Sequence, residues 1–158
     1  MNGIVVKTTG KKYKVKILSG DVVDCRLRGR FRLSNSKSTN PIVVGDLVKL
    51  EKDSADWMIT KLFDRKNQIL RKSVNLSKQT HIIASNIDQA ILIITLEKPI
   101  TTTGFIDRFL VSAASYSIKV VLLFNKLDIY NNELLKKQRS LADLYRKIGY
   151  DIIEISVL

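Results

Sequence analysis

The sequence predicts two domains of different class, an all-β barrel followed by an α/β domain built on a parallel sheet. The first sixty residues contain short alternating runs separated by turn signals, which is typical of small β folds. From Ile87 onward, apolar strand-like runs alternate with helical periodicity, which is typical of an α/β chain. The net charge is also divided: residues 1–80 hold 18 Lys and Arg against 7 Asp and Glu, whereas residues 81–158 hold 9 against 8.

Five short strands are predicted within residues 1–62. In Lys12–Ile17 lysines alternate with apolar residues, so one face packs inward and the lysines face water. The other runs are Gly3–Thr8, Val22–Arg28, Leu47–Glu51 and Trp57–Leu62, with turns at Ser19–Asp21 and Gly45–Asp46. Five such strands predict an open five-stranded barrel of the oligonucleotide-binding type. The lone Cys25 lies in one of these strands and is interpreted as a packed thiol.

A basic connection follows the third strand, from Gly29 to Val44. The +11 excess of residues 1–80 over the +1 of residues 81–158 suggests that the first module meets a polyanion such as RNA, DNA or an anionic membrane surface. The candidates for neutralising backbone phosphates are Arg28, Arg30, Arg32 and Lys37, with Phe31 available to stack on a base. A flexible, solvated loop is an equally good interpretation of this segment.

Residues 63–86 are polar and basic without a sustained period, and we interpret them as a linker that packs against both domains. Ala90–Leu96 is apolar on both faces, which predicts a strand buried between helices. A helix is expected after the caps Thr101–Thr103, with Ile106, Phe109, Leu110 and Ala113 on its apolar face.

The pattern then repeats, with a second strand at Val120–Phe124 and a helix from about Asn132 to Gly149. Its apolar face is expected to contain Leu141, Leu144, Tyr145 and Ile148. A third strand is predicted at Asp151–Ser156. Strands and helices of these lengths imply right-handed crossovers and a parallel sheet over residues 87–158.

The tetrapeptide Asn125-Lys126-Leu127-Asp128 follows the second buried strand directly. Ligands of parallel sheets bind at the carboxyl ends of the strands, so this loop is a candidate site. Asp128 can accept hydrogen bonds from the N1 and exocyclic N2 groups of guanine, an edge that adenine does not present. Asn125 can donate to the base and brace the loop, while Lys126 can lay its aliphatic stem along the ring.

Ser156-Val157 is predicted at the same end of the next strand. Ser156 can brace the guanine loop, and the backbone N–H of Val157 can meet the guanine O6. A GTPase also needs a G-x-x-x-x-G-K-[ST] loop for its phosphates, and the 158 residues contain none, so we expect no catalytic residue here. Because the guanine loop comes early in its domain, we expect a phosphate loop beyond Leu158, which is a circular permutation.

The sequence resembles the circularly permuted ribosome small-subunit-dependent GTPase A family of bacterial ribosome-assembly factors. The resemblance runs through nearly the whole chain, on Cys25-Arg26-Leu27-Arg28-Gly29, Val44-Gly45-Asp46, Arg65-Lys66-Asn67, Leu70-Arg71, Asn86-Ile87-Asp88-Gln89, Ile106-Asp107-Arg108-Phe109-Leu110 and Phe124-Asn125-Lys126-Leu127-Asp128. It departs at Val157, where the family usually has Ala.

The resemblance implies an RNA-binding barrel, a permuted GTPase domain and a C-terminal zinc-binding region, acting late in small-subunit maturation. GTP or GDP is the implied ligand, with Mg²⁺ and Zn²⁺ expected only in the downstream part. The implied partners are the small ribosomal subunit and its rRNA, and we expect a cytoplasmic protein, monomeric at full length and without a membrane partner. The single histidine, His81, is interpreted as a linker or surface residue.

A second hypothesis stays open from the sequence. The chain is then a free-standing RNA-binding protein whose α/β half is a degenerate scaffold without catalysis. A glycine-rich Lys-Ser/Thr loop downstream of Leu158 favours the GTPase, whereas a stop codon favours the scaffold. A DNA-binding or membrane-surface module is disfavoured, because no amphipathic basic helix is predicted.

Overall fold

The computed structural model describes residues 1–10, 12–28, 41–53, 56–72 and 80–156. The chain divides into two compact units, Met1–Ile87 and Asp88–Leu158.

The first unit contains a closed five-stranded barrel. Its strands are β1 (Asn2–Thr9), β2 (Lys12–Ile17), β3 (Val22–Leu27), β4 (Leu47–Asp53) and β5 (Asp56–Leu62). They pair in the order β1-β2-β3-β5-β4, and β1 also pairs with β4, so the barrel is closed and not open as expected. The five predicted strands are confirmed, each to within two residues at either end.

The barrel core follows from the alternation of apolar and polar residues along each strand. Buried side chains of β1, β2, β4 and β5 meet inside, and Ile42 joins them from the chain before β4. Cys25 is part of this core at 2% exposure. Burial, with a smaller contribution from Asp24, raises the pKa of the Cys25 thiol to about 11, in accord with the interpretation as a packed thiol.

Residues 63–86 contain two strands that the sequence did not indicate. β6 (Gln68–Lys72) and β7 (Thr80–Ser85) form an antiparallel pair with an irregularity between Ile69 and Leu70, which interrupts the period of two. Both strands lie within the Met1–Ile87 unit. His81 is on β7 and half-buried.

The second unit is a three-stranded parallel sheet with two helices. Its elements are β8 (Gln89–Ile94), α1 (Thr103–Ser115), β9 (Lys119–Phe124), a 3₁₀ turn (Leu127–Ile129), α2 (Asn132–Ile148) and β10 (Asp151–Glu154). The sheet order is β10-β9-β8. Thr102 and Asn131 cap the two helices, and Gly149 ends α2 with a φ of +108°. The predicted parallel sheet is confirmed.

Two details of this unit differ from expectation. The buried face of α2 is Gln138, Ala142 and Tyr145, whereas Leu144 and Ile148 are more than half exposed. A polar residue, Gln138, points inward, so a rule based on hydrophobicity misplaces the face.

The two faces of β8 also differ in exposure. Ala90, Leu92 and Ile94 of β8 are buried, while Ile91 and Ile93 are more than half exposed. Both crossovers run in the same direction along the sheet, and crossovers of one hand then place both helices on the same face.

Candidate nucleotide-binding site

The candidate site lies where β9 and β10 end. Asn125 follows β9 directly, and its backbone N–H donates to the carbonyl of Ile94 at 2.9 Å, which continues the β8–β9 ladder. On the other side, the N–H of Ile155 donates to the carbonyl of Phe124 at 2.8 Å. The chain therefore leaves the sheet at neighbouring points before Lys126 and before Ser156.

Asp128 is held from the adjacent strand end. It lies exposed in the 3₁₀ turn Leu127–Ile129, and the hydroxyl of Ser156 donates to its Oδ1. An ionised carboxylate offers about four lone-pair positions, so one serine bond leaves acceptors for two further donors. The turn thus presents a braced carboxylate to solvent.

Asn125 braces the start of the same loop. Its Oδ1 accepts from the backbone N–H of Lys126 at 2.7 Å, and the residue is half-buried. Since the amide oxygen is engaged with the backbone, the Nδ2 group is the part of this side chain that can donate to a ligand.

Lys126 has a left-handed backbone with φ +66° and ψ +34°, a conformation that costs a residue with a Cβ about 1–2 kcal/mol. Its ammonium donates to the carbonyl of Lys98 in the loop after β8. That loop is closed by Thr95 and Thr101, whose backbone groups are joined at 2.8 Å. Strained backbone of this kind concentrates at functional sites.

The structure therefore brings together four of the five residues predicted to bind guanine: Asn125, Lys126, Asp128 and Ser156. Val157 lies outside the described residues. Sequence reasoning missed Tyr130, whose hydroxyl contacts the carbonyl of Asn125 at 3.0 Å and the N–H of Leu96 at 2.7 Å. It also missed the Lys98 carbonyl. Neither carries a sequence signal, because both act through contacts formed across the fold.

Of the predicted phosphate-contacting residues, Arg28 lies among the residues that the structure describes. Arg28 lies at the end of β3, and its Nη1 is 3.4 Å from Oε2 of Glu51 in an exposed ion pair. Such pairs contribute little to stability, so the guanidinium can exchange Glu51 for another anion at low cost. Arg30, Arg32 and Lys37 lie outside the described residues, as does Phe31.

Over the part of the chain that the structure describes, no three His, Cys, Asp or Glu side chains come together as ligands for a metal ion. Neither described helix has the length and apolar content to cross a bilayer.

Two family models match the chain in succession. The first, described as the RsgA N-terminal domain, matches residues 2–57, and the second, described as the RsgA GTPase, matches residues 62–158. The chain belongs to the RsgA GTPase family. The resemblance seen in the sequence is thereby confirmed.

Relatives within the RsgA family are similar over nearly the whole chain. The proteins named small ribosomal subunit biogenesis GTPase RsgA from Flavobacterium psychrophilum and Christiangramia forsetii are 51% and 53% identical over 160 residues. Each alignment covers 99% of this chain, but only 49% and 51% of the respective relative. The chain thus spans about half the length of these relatives.

Solved structures agree with the fold. The crystal structure of YjeQ from Thermotoga maritima is 34% identical with a TM-score of 0.72, covering 98% of this chain and 51% of that one. YloQ, described as a circularly permuted GTPase, is 28% identical with a TM-score of 0.66, covering 99% and 51%. The barrel followed by a partial α/β sheet is therefore a fold shared with these two solved structures.

Proposed function

We propose that this protein is a GTP-binding and GTP-hydrolysing factor that acts in the cytoplasm, late in maturation of the small ribosomal subunit. The observation that carries the proposal is the convergence of Asn125, Lys126, Asp128 and Ser156 at the ends of two neighbouring parallel strands. Membership of the RsgA family, and the names of its relatives, support the cellular role.

In the proposed mechanism, the guanine base lies against the 125–128 loop. Asp128 accepts from the N1 and N2 groups of the base, while Ser156 holds the other side of that carboxylate. Asn125 donates from Nδ2, and the stem of Lys126 covers one face of the ring. The backbone N–H of Val157 donates to the guanine O6. The hydrogen bonds are directional and match the edge of guanine, so they select guanine over adenine, whereas the Lys126 stem would cover either ring.

The same proposal assigns no catalytic role to the 158 residues. Phosphoryl transfer needs backbone amides around the phosphates, a lysine, a hydroxyl ligand for Mg²⁺ and a positioned water. None of these is supplied by a G-x-x-x-x-G-K-[ST] loop in this sequence. We therefore expect these 158 residues on their own to leave GTP unhydrolysed.

Exchange of Asp128 tests the guanine site. Asp128→Asn in the full-length protein replaces an acceptor by a donor, so affinity for GDP should fall about a hundredfold while affinity for xanthosine diphosphate rises. Titration of both nucleotides by calorimetry measures the switch. Asp107→Asn, on α1, is the matched control and should leave both affinities unchanged. An unaltered preference for guanine in Asp128→Asn would refute the proposed site.

We also propose that the barrel docks on ribosomal RNA through Arg28, Arg30, Arg32 and Lys37. The support is electrostatic: all of the +11 excess of residues 1–80 lies in the Met1–Ile87 unit, because residues 81–87 carry no charged Lys, Arg, Asp or Glu. On β2, Lys12, Lys14 and Lys16 point outward and add to the same positive potential.

A salt titration tests this docking. Replacing the four proposed side chains by Gln should reduce the slope of log K against log salt for small-subunit RNA by about 3, because each phosphate contact releases counterions. The control replaces four cations of the second unit, Lys119, Lys136, Lys137 and Arg139, and should leave the slope unchanged. Equal slopes in the parent and in the four-residue barrel variant would show that these four side chains do not contact the RNA phosphates.

A further inference from the structure

Tyr130 lies two residues after Asp128 and is 7% exposed, although it follows a surface loop. Its hydroxyl is engaged on both sides: it accepts from the backbone N–H of Leu96 at 2.7 Å and donates to the backbone carbonyl of Asn125 at 3.0 Å. These two backbone groups belong to the chain just beyond β8 and just beyond β9.

The Tyr130 hydroxyl lies where the next backbone hydrogen bond of the β8–β9 ladder would form. In the parallel ladder, Asn125 N–H bonds to the carbonyl of Ile94, so the next rung would join the N–H of Leu96 to the carbonyl of Asn125. The Tyr130 hydroxyl occupies that rung. It keeps both backbone groups paired while the two strands diverge into their loops.

The same residue also closes the 125–130 loop. The N–H of Ile129 donates to the carbonyl of Lys126 at 3.2 Å, and the N–H of Tyr130 donates to that of Leu127 at 3.3 Å, which fixes the turn containing Asp128. The side chain of Tyr130 then returns to Asn125. One residue thus ties the turn that presents Asp128 to the carbonyl of Asn125 at the opposite end of the loop.

We propose that Tyr130 is a positioning residue that sets guanine specificity, by holding Asn125 and Asp128 in register through this hydroxyl-bridged rung. The inference rests on the proposed guanine site and deepens it. Without the hydroxyl, the rung loses both of its bonds, and this loss moves the carbonyl of Asn125 and the turn that follows. A buried donor or acceptor left unpaired is costly, so the loop shifts and does not stay in place.

The variant Tyr130→Phe keeps the ring and removes only the hydroxyl. In the full-length protein we expect GDP to bind about tenfold more weakly. Inosine diphosphate lacks the exocyclic N2 group that Asp128 reads, so its affinity should fall less, and the preference for GDP over inosine diphosphate should narrow. Calorimetric titration of the two nucleotides measures this ratio.

Tyr145→Phe is the matched control. Tyr145 is 3% exposed, and its hydroxyl donates to Oδ1 of Asp107 at 2.7 Å, away from the loop. Its loss should lower the free energy of unfolding and leave the nucleotide ratio unchanged. If Tyr130→Phe behaves in the same way, with a lower stability and an unaltered ratio, Tyr130 is only structural and the inference is overturned.

Two further measurements keep the outcomes distinct. The Leu96 amide should exchange with solvent at least about tenfold faster in nucleotide-free Tyr130→Phe than in the parent, because its bond to the hydroxyl is gone. If Tyr130→Phe fails to fold, Tyr130→p-aminophenylalanine tests the bridge instead. Its amine can accept from the N–H of Leu96 and donate to the carbonyl of Asn125, as the hydroxyl does. Recovery of folding with the parental GDP preference supports the bridge, whereas recovery with a narrowed preference overturns it.

The Asp128→Asn result separates this inference from the function on which it rests. A switch toward xanthosine diphosphate in Asp128→Asn, together with an unaltered ratio in Tyr130→Phe, removes only the role of Tyr130. An unaltered guanine preference in Asp128→Asn removes the guanine site itself.

Discussion

Gly20 and Gly45 adopt nearly the same backbone conformation, with φ of +95° and +91°, in different surroundings. A Cβ at Gly20 would meet nothing within 4 Å, whereas a Cβ at Gly45 would lie 1.9 Å from the carbonyl oxygen of Ser85. Glycine is therefore needed at position 20 only for the positive φ of a turn. At position 45 it is needed both for a positive φ and because the backbone of Ser85 leaves no space for a Cβ.

Alanine substitutions at these two glycines separate the cost of a positive φ from the cost of displacing a neighbouring backbone segment. Gly20→Ala should lower the free energy of unfolding by about 1 kcal/mol, the cost of a positive φ. Gly45→Ala should cost about 3 kcal/mol or more, since the backbone at Ser85 must also move. Urea unfolding followed by the fluorescence of Trp57, on β5, measures both. Equal losses for the two variants would contradict the contact between Gly45 and Ser85.

At the scale of single residues, the sequence predicted candidate guanine-binding side chains but not the residues that contact them. Asn125 and Asp128 were predicted because their side-chain types match a guanine edge and because they follow a buried strand. Tyr130 was not, since its role depends on Leu96, which is 34 positions away in the chain. Only the assembled sheet shows that a rung is missing there and that a hydroxyl fills it.

The β6–β7 pair is joined to the barrel by a buried charged group. Asp46 is 0% exposed, and Arg65 reaches it through Nε at 2.7 Å and Nη2 at 2.8 Å. The hydroxyl of Ser85 donates to the same carboxylate at 2.5 Å, and the backbone N–H of Val43 also donates to it, at 2.8 Å. Every oxygen of Asp46 is therefore bonded, and the donors come from three separate segments of the chain.

Removal of this charge should destabilise the first unit strongly. Asp46→Asn leaves the guanidinium of Arg65 partly buried without a counter-charge, and breaking such a pair costs about 3–5 kcal/mol. Glu51→Gln is the matched control, since its pair with Arg28 is exposed and should change the free energy of unfolding by less than about 1 kcal/mol. Thermal or urea unfolding measures both. A loss below 1 kcal/mol in Asp46→Asn would show that the network is not structural.

Strand prediction succeeded where one face is apolar and failed where the pattern is broken. The alternation along Lys12–Ile17 locates β2 to the residue, because barrel strands bury every second side chain. β6 and β7 escaped detection because an irregular register and polar partners hide the alternation. On α2 the start near Asn132 and the end at Gly149 were predicted correctly. Of the side chains expected on its apolar face only Tyr145 is buried, and the polar Gln138 takes an inward position.

At the scale of the whole molecule, the excess of positive charge lies in Met1–Ile87. Among the described residues of Asp88–Leu158, two isoleucines on one face of β8 are exposed. On that face Ile91 is 56% exposed and Ile93 is 59% exposed. The positive charge of the first unit is the property on which the proposed docking to RNA rests, whereas the exposed isoleucines of β8 offer apolar surface.

The exposed face predicts self-association of the 158-residue chain studied on its own. Ile91→Thr together with Ile93→Thr should shift the chain toward monomer, because threonine keeps the β-branched shape and removes apolar surface. Light scattering coupled to size exclusion measures the mass. Val111→Thr, at a 70% exposed site on α1, is the control and should leave the mass distribution unchanged. Association that persists in the double variant would place the contact elsewhere.

The hydrogen bonds around Asp46 also determine where the chain can be truncated to give a folded fragment. A fragment that ends at Leu62 keeps all five barrel strands but discards Arg65 and Ser85, and so exposes a carboxylate that the intact unit seals from water. Such a deletion would measure collapse of the barrel and could be mistaken for lost RNA affinity. A fragment that ends at Ile87 retains Arg65 and Ser85 and matches the compact first unit, so in it a loss of binding can be distinguished from a loss of folding.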